Sequence, residues 1–507
     1  MFKMARAQKA AVVSVLLIVS GVAVSQAPPA SAPAGKGKFI LRHDTTYYYA
    51  PLNEDGTVNY VAATNESQKQ KLSPQENAAV LVVKVIGPDF FPAAGREQAL
   101  RALDLTELDP KEQLTPLPPA LKADFERAFA APWNEKQFPR LAQWLKDNEK
   151  VLATLDQLPS RRRFYMPRVS LAKPPRLADA LVCNLQALRE LARVMRVRAM
   201  LKAGSNNPDA AVNDLMTIYQ LGNLVEQQRT LTERLAGVAI KMTAVSEKDV
   251  GKFPLPLTKS MLEKMQTMLP SYNLAGSMSE EWMLTLDAVM TLARNGYVKG
   301  VTELEAMVTS APAEGKIAWP KLAEDDIDYN AVMVTITGYA ARYISLAGGA
   351  YLDRMRAFQR VDEDIQKDMK AALAKLADAA GLPTDREKRR AEVSQALGQI
   401  LAGRYFAVMG RPALLDLKAV TQWDLAQLGF VLTSYKADTG KYPAKLDELR
   451  GSYLRELPID LFGNKPLAYK LVGTGYICYS WGPNFKDDGG KPQGDGGEDY
   501  DIAITGQ

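Results

Sequence analysis

The sequence predicts a mainly α-helical protein with a large multi-helix domain and a small C-terminal α+β domain, one long helix on a short antiparallel sheet. Apolar residues recur at steps of three and four over roughly 350 residues, and capping signals with Gly and Pro breaks divide that pattern. After Pro412, one helical stretch is followed by β-forming runs with glycine turns. A chain of 507 residues is expected to form two or three domains.

Residues 1–25 have the features of a signal peptide. Three basic residues precede the apolar stretch Ala10–Val24, which is short for a membrane span, and small residues at Ala23 and Ser25 suit cleavage. We therefore expect an exported protein of the periplasm or the cell surface, which touches the membrane only through this segment. An uncleaved anchor is the alternative.

Residues 26–64 are expected to form a linker and a β-hairpin. Residues 26–37 are rich in Pro, Ala, Gly and Lys, as flexible linkers are. The β-forming runs Phe39–Tyr49 and Thr57–Ala63 flank the turn sequence Asn53–Gly56. This pattern predicts the hairpin.

Residues 65–410 are predicted to form an all-helical domain. Ser73 and Glu76 make a capping-box pattern that predicts a helix over Pro74–Ile86. Residues 177–229 predict an antiparallel helical hairpin, whose turn resembles that of a tetratricopeptide repeat, although a second copy at a period of about 34 residues is not evident. Further helices are predicted over three segments: Thr258–Met268, Ser277–Arg294, and Tyr329–Ala380 with breaks.

Residues 411–507 are predicted to form the small α+β domain. Leu425, Leu428, Leu432 and Tyr435 define one face of a helix. Three strands are then predicted, at Leu467–Leu471, Tyr476–Trp481 and Tyr500–Ile504.

Several spaced motifs in this domain resemble the globular head of the type II secretion major pseudopilin. In order, they are Tyr435–Pro443, Leu457–Pro466, Ser480–Asn484 and Asp499–Ile502. The resemblance covers about the last 95 residues, and it implies protein partners in the cell envelope and calcium in the C-terminal loop.

The chain departs from true pseudopilins, in which an apolar helix leads directly into the head. Hundreds of helical residues intervene here, and Gln26 stands five positions after Gly21 where an acidic residue is expected. The resemblance therefore does not imply polymerisation into a pilus. The architecture is similar to that of uncharacterised exported bacterial proteins with such a head as a C-terminal module.

The C-terminal loop is the candidate calcium site. Acidic residues and glycines alternate between Asn484 and Asp501, and hard cations such as calcium bind several oxygen ligands on flexible loops. The family's first acidic ligand corresponds to Asn484 here, and Phe485 replaces its glycine. The predicted ligands are Asn484, Asp487, Asp488, Asp499 and Asp501. A solvated acidic loop without metal is the alternative.

No catalytic or cofactor-binding residue is predicted. His43 is the only histidine, and no Gly-x-Ser-x-Gly sequence is present to supply a nucleophile for it. Glycine-lysine pairs are never followed by Ser or Thr, so a phosphate-binding loop is excluded. The formal charge of +5 falls to about +2 without the signal peptide, too little to indicate nucleic-acid binding.

The sequence favours a non-enzymatic envelope protein that mediates protein–protein contacts in a type II secretion or pilus-like system. One alternative is an exported hydrolase that uses carboxylates of the helical domain, which would require a cleft lined by several acids. Another is a module that binds surface polymers through Arg161–Arg163, with Phe164, Tyr165 and Arg168 nearby.

Overall fold

A computed structural model describes residues 39–180, 183–267, 275–308, 317–347, 350–405, 409–491 and 501–506. The predicted signal peptide and the predicted linker over 26–37 lie outside these residues. The described chain is mainly helical with a small C-terminal antiparallel sheet, which confirms the predicted fold class.

The α-helices cover most of the described chain. In order they are α1 (Tyr60–Lys69), α2 (Ala78–Ile86), α3 (Arg96–Ala102), α4 (Lys122–Ala130), α5 (Pro139–Asp147), α6 (Glu149–Thr154), α7 (Leu185–Gly204), α8 (Pro208–Val225), α9 (Leu231–Ala244), α10 (Leu255–Thr267), α11 (Ala275–Asn295), α12 (Tyr297–Val308), α13 (Tyr329–Leu346), α14 (Tyr351–Ala377), α15 (Arg386–Tyr405) and α16 (Gly410–Thr439). The strands are β1 (Ile459–Asp460), β2 (Lys465–Pro466), β3 (Ala468–Val472), β4 (Gly475–Ser480) and β5 (Ile502–Gly506).

The described residues divide into two compact units, each built from separate stretches of the chain. The first unit comprises described residues of Met1–Gln68, Ser170–Ala180 and Ser277–Gly410. The second comprises those of Lys69–Val169, Leu181–Gly276 and Arg411–Gln507. These units do not follow the linear division expected from the sequence, because residues 411–507 belong with two earlier stretches.

The core of the second unit is formed by α7, α8 and α9. The predicted helical hairpin is confirmed as α7 and α8, although α7 begins only at Leu185, later than predicted. Asn207 caps α8 by accepting a hydrogen bond from the amide of Ala210. Helices α8 and α9 approach closely at two glycines, since a Cβ atom on Gly222 would lie 2.7 Å from the carbonyl oxygen of Gly237. A side chain at either position would separate the helices.

The first predicted helix starts later than its capping pattern suggests. Glu76 does accept hydrogen bonds from the amide and hydroxyl of Ser73, but α2 begins at Ala78. Asn77 is its N-cap, and this buried side chain also donates to the carbonyl oxygen of Tyr165, 3.0 Å away. A tertiary contact therefore sets this helix start.

Of the hairpin predicted between residues 39 and 63, the structure contains the turn at Asn53–Gly56 but neither of the two strands. The chain makes a turn in which buried Thr45 and Thr46 bond to nearby main-chain oxygens, and an isolated bridge joins Leu52 to Val58. The second predicted strand is instead the start of α1, where Asn59 accepts from the amide of Ala62. The polar residues after Ala63 continue the helix that this cap begins.

Helices α13, α14 and α15 pack together in the first unit. In the same unit, Asp287 on α11 accepts a 2.6 Å hydrogen bond from the amide of Leu177 and so holds the segment 170–180. Burial raises the pKa of this carboxyl to about 6. None of the helices in the described residues is long and apolar enough to cross a bilayer.

In the second unit, α16 packs against earlier elements as well as the sheet. The rings of Phe430 and Phe253 stack with centroids 5.6 Å apart, and Gly429 lies against Val250 and Ile504. Strands β3, β4 and β5 form an antiparallel sheet in that order, in the register Tyr469↔Cys478↔Ile504. The three predicted strands are thus present, although Tyr500 lies outside the described residues.

Candidate functional site

Asp460 connects two of the pseudopilin-like motifs. This buried carboxylate accepts hydrogen bonds from the amide of Phe462 at 3.0 Å, the hydroxyl of Ser480 at 2.5 Å and the amide of Trp481 at 2.9 Å. Gly463 fits beside it only because it lacks a Cβ atom, which would lie 2.8 Å from an Asp460 oxygen. The two motifs therefore form one hydrogen-bonded assembly. No local pattern in the sequence indicates this role of Asp460.

The motif that ends α16 packs onto the same sheet. The rings of Tyr442 and Tyr476 make an edge contact at 4.7 Å, and the hydroxyl of Tyr469 donates to the carbonyl oxygen of Pro443 at 2.8 Å. Three motifs that are separated in sequence thus meet on β3 and β4.

The acidic loop begins with a network of short-range hydrogen bonds. The amide group of Asn484 donates to Asp488 at 2.7 Å, and its oxygen accepts from the amide of Lys486 at 2.9 Å. Asp487 accepts from the hydroxyl of Tyr479 and from the amide of Gly489, both at 3.0 Å.

Asp501, the last of the predicted ligands, is hydrogen-bonded to the first part of the loop. Only 3% of this residue is exposed, and one carboxylate oxygen accepts a 2.6 Å hydrogen bond from the amide of Gly490. The other oxygen is buried without a hydrogen-bond partner among the described residues. Burial raises the pKa of Asp501, and the negative charges of Asp488 and Asp487 act in the same direction.

Three described residues of the loop have left-handed backbone conformations: Phe485, Gly489 and Gly490. Phe485 has φ near +60° and packs against Phe462. Gly490 has φ near +83°, and a Cβ atom there would lie 2.4 Å from Ile477. Left-handed φ is costly for residues other than glycine, so packing must hold Phe485 in place.

The structure brings four of the predicted calcium ligands into one loop: Asn484, Asp487, Asp488 and Asp501. Asp499 lies outside the described residues. Over the part of the chain that the structure covers, no group of three or more acidic, histidine or cysteine side chains is arranged to hold a metal ion. Calcium binding by this loop stays a prediction.

The arginine cluster predicted as a polymer site lacks its aromatic partners. Phe164, Tyr165 and Arg168 are all buried, and Arg168 makes a paired hydrogen bond with Glu233 at 2.7 and 2.6 Å. Because stacking on a polymer needs exposed rings, these residues cannot supply the predicted clamp.

The alternative of a carboxylate hydrolase requires a cleft with two usable acids. A cavity of about 590 Å³ beside α7, α8 and α10 is lined by Asp156 and Asp214. Both accept hydrogen bonds from Arg198, at 3.0 and 2.6 Å, and Lys202 lies 2.8 Å from Asp214. Both carboxylates are therefore already engaged in ion pairs, which disfavours the acid–base pair of glycosidases here.

Histidine and cysteine chemistry finds no support in this arrangement. His43 is exposed and lies against Tyr47 and Trp282, at 5.0 and 6.2 Å between ring centroids. Cys183 and Cys478 are both buried and unbridged. Burial raises the pKa of the Cys183 thiol to about 12, so the reactive thiolate is not populated at neutral pH.

The second unit contains a set of buried ion pairs that are not predicted from the sequence. In each pair both side chains are at most one-tenth exposed: Arg168–Glu233, Arg196–Asp249, Arg198–Asp214, Arg234–Asp416 and Lys241–Glu226. The sequence feature that could have indicated these pairs is the presence of charged residues within the apolar stretches of α7 and α9.

Comparison of the chain with protein-family models, with curated proteins and with solved structures finds no match.

Proposed function

We propose that this protein is a non-enzymatic exported envelope protein that mediates protein–protein contacts in a type II secretion or pilus-like system. The observation that carries the proposal is the assembly around Asp460, where two motifs of the pseudopilin resemblance meet through hydrogen bonds from Ser480 and Trp481. Contact between these motifs in the fold supports the resemblance on which the proposal rests.

The exposed side of the sheet offers a surface for such contacts. In the described sheet β3 lies at an edge, and Leu471 and Val472 at its end are 48% and 59% exposed. Edge strands with exposed apolar residues readily pair with other chains. We place the partner-binding surface at this end of β3.

The test is crosslinking and pull-down of the tagged full-length protein from its native cell envelope. The double variant Leu471→Glu, Val472→Lys introduces opposite charges at exposed positions and leaves the net charge unchanged. We expect it to recover secretion or pilus components about tenfold less well, equivalent to about 1.4 kcal/mol of binding free energy.

The matched control is Val298→Glu, because Val298 is an apolar residue of the first unit that is 73% exposed. It should recover partners as the unmodified protein does. Equal recovery by the double variant would remove the surface from the proposal. Recovery of no envelope protein by any form would reject the proposed function.

A further inference from the structure

A second cavity in the second unit is lined by two side chains that each have a buried oxygen atom to which no described residue donates a hydrogen bond. It has a volume of about 310 Å³ and lies where the end of α9, the turn over residues 246–249 and α16 meet. Its lining includes Glu247 and Gln422. The volume falls at the lower end of the range for small-molecule sites.

Gln422 is 7% exposed, and its side-chain nitrogen donates to one oxygen of Glu247 at 3.1 Å. The second oxygen of Glu247 and the side-chain oxygen of Gln422 are both buried, and neither has a hydrogen-bond partner among the described residues. An ionised carboxylate can only accept hydrogen bonds, so the side-chain nitrogen of Gln422 must be the atom that faces Glu247. The side-chain oxygen of Gln422 then points away from Glu247 and needs a donor of its own. These two acceptors belong to side chains that are hydrogen-bonded to each other, and none of the described residues supplies a donor to them.

The other charges of the cavity indicate which donor fits. Asp249 is neutralised, because Arg196 donates to it at 2.5 Å and the amide of Ser246 at 2.8 Å. Lys248 and Lys252 also line the cavity, and both are exposed. The cavity is therefore lined by two hydrogen-bond acceptors, Glu247 and Gln422, and by two exposed lysines.

We propose that this cavity binds a small zwitterion of the α-amino-acid class. The ammonium group donates to Glu247 and Gln422, and the carboxylate pairs with Lys248 and Lys252. The side chain lies along Ala239 and Met242, which also line the cavity. This inference does not depend on the proposed partner surface of the sheet.

A bound water could satisfy one of the two acceptors, but it would not account for the arrangement of charges. The cavity is about ten times the roughly 30 Å³ that one water occupies in the liquid. Burial raises the pKa of Glu247. An ammonium group at hydrogen-bond distance would compensate this cost of desolvation, and a water would do so less well.

The test is isothermal titration calorimetry of the full chain with glycine, L-alanine and L-leucine. Two analogues of leucine each lack one charge: 3-methylbutylammonium has no carboxylate, and 4-methylpentanoate has no ammonium group. We expect at least one amino acid to bind with a Kd of about 1 mM or below, and the analogues to bind at least about tenfold more weakly than leucine.

The variant Glu247→Gln keeps an acceptor for the Gln422 amide and removes the negative charge, so it should fold and bind at least about tenfold more weakly. Glu263→Gln is the matched control, since Glu263 is exposed on α10 and does not line the cavity. In an NMR titration with the amino acid that binds, a shift of the Met242 methyl resonance would show that the ligand lies in this cavity. Absence of binding by all three amino acids, equal binding by Glu247→Gln, or equal binding of the ammonium analogue would overturn the proposal.

Discussion

At the scale of single residues, this chain buries many charged side chains and satisfies most of them with a partner of opposite charge. Some of the other buried carboxylates have raised pKa values, among them Asp287 and Asp501. Asp424 on α16, which is partly buried, is a further case: desolvation raises its pKa to about 7, and no hydrogen bond or cation among the described residues offsets this. Such a group makes stability depend on pH near neutrality.

The variant Asp424→Asn should be more stable than the parent at pH 8. The folded-state pKa of about 7 lies above the unfolded value of 3.8, so the folded state binds the extra proton between these values. The stability that this group contributes is complete below about pH 4 and is lost as the pH rises to 7. The gain in the variant is at most about 4 kcal/mol at pH 8.

Thermal melts of both proteins at pH 5 and pH 8 check this prediction. The difference in midpoint should be large at pH 8 and small at pH 5. A difference that does not change with pH would show that Asp424 does not titrate in this range.

Calcium should raise the melting midpoint of the full chain if the loop from Asn484 to Asp501 binds it. At a calcium concentration of 100 times Kd, linkage stabilises the folded state by about 2.7 kcal/mol, or roughly 5 °C. The double variant Asp487→Asn, Asp488→Asn should lose this shift, because hard cations need charged oxygen ligands.

Melts with calcium and with chelator measure the effect. Glu135→Gln, at an exposed acid in another part of the second unit, is the control and should keep the shift. An unchanged midpoint of the parent protein between calcium and chelator would reject structural calcium.

At the scale of elements, tertiary contacts decide where helices begin and how closely they pack. Helix α16 was predicted from the apolar face between Leu425 and Tyr435, yet it begins at Gly410. Asp362 on α14 accepts from the amides of Met409 and Gly410, at 3.0 and 2.7 Å, and so caps that start. A cap supplied by a distant carboxylate leaves no local signal.

Two glycine-to-alanine variants should change stability in opposite directions. Gly237→Ala would place a methyl group 2.7 Å from the carbonyl oxygen of Gly222 and should destabilise the protein by about 1–3 kcal/mol. Gly338→Ala, inside α13 with no atom within 4 Å of the added Cβ, should stabilise it by about 0.5–1 kcal/mol. Chemical denaturation measures both. Similar effects of the two substitutions would show that α8 and α9 are less closely packed than described.

At the scale of the whole molecule, each compact unit is assembled from distant stretches of sequence. The C-terminal stretch contributes to the interior of the second unit, where Arg234 pairs with Asp416 at 2.8 Å and the ring of Tyr219 lies 4.6 Å from that of Trp423. Residues 411–507 are therefore not expected to behave as a detachable head.

Deletion of residues 411–507 should prevent the rest of the second unit from folding. It leaves the buried guanidinium of Arg234 without its carboxylate, a loss that typically costs about 3–5 kcal/mol for a buried pair, and it exposes the apolar surface that α16 covers. Limited proteolysis should cut residues 69–169 and 181–276 rapidly in the truncated protein. Protection equal to that of the full chain would contradict this assembly.

The sequence by itself determined the fold class, the helical hairpin of α7 and α8, and the three strands of the C-terminal sheet. Each of these depends on local periodicity, capping residues and glycine turns, which act over a few residues. Only the tertiary structure decided the grouping of 411–507 with earlier stretches, the role of Asp460, the buried ion pairs and the cavity at Glu247 and Gln422. These features join residues up to 182 positions apart, as Arg234 and Asp416 are, and no local pattern records which distant partner a buried charge will meet.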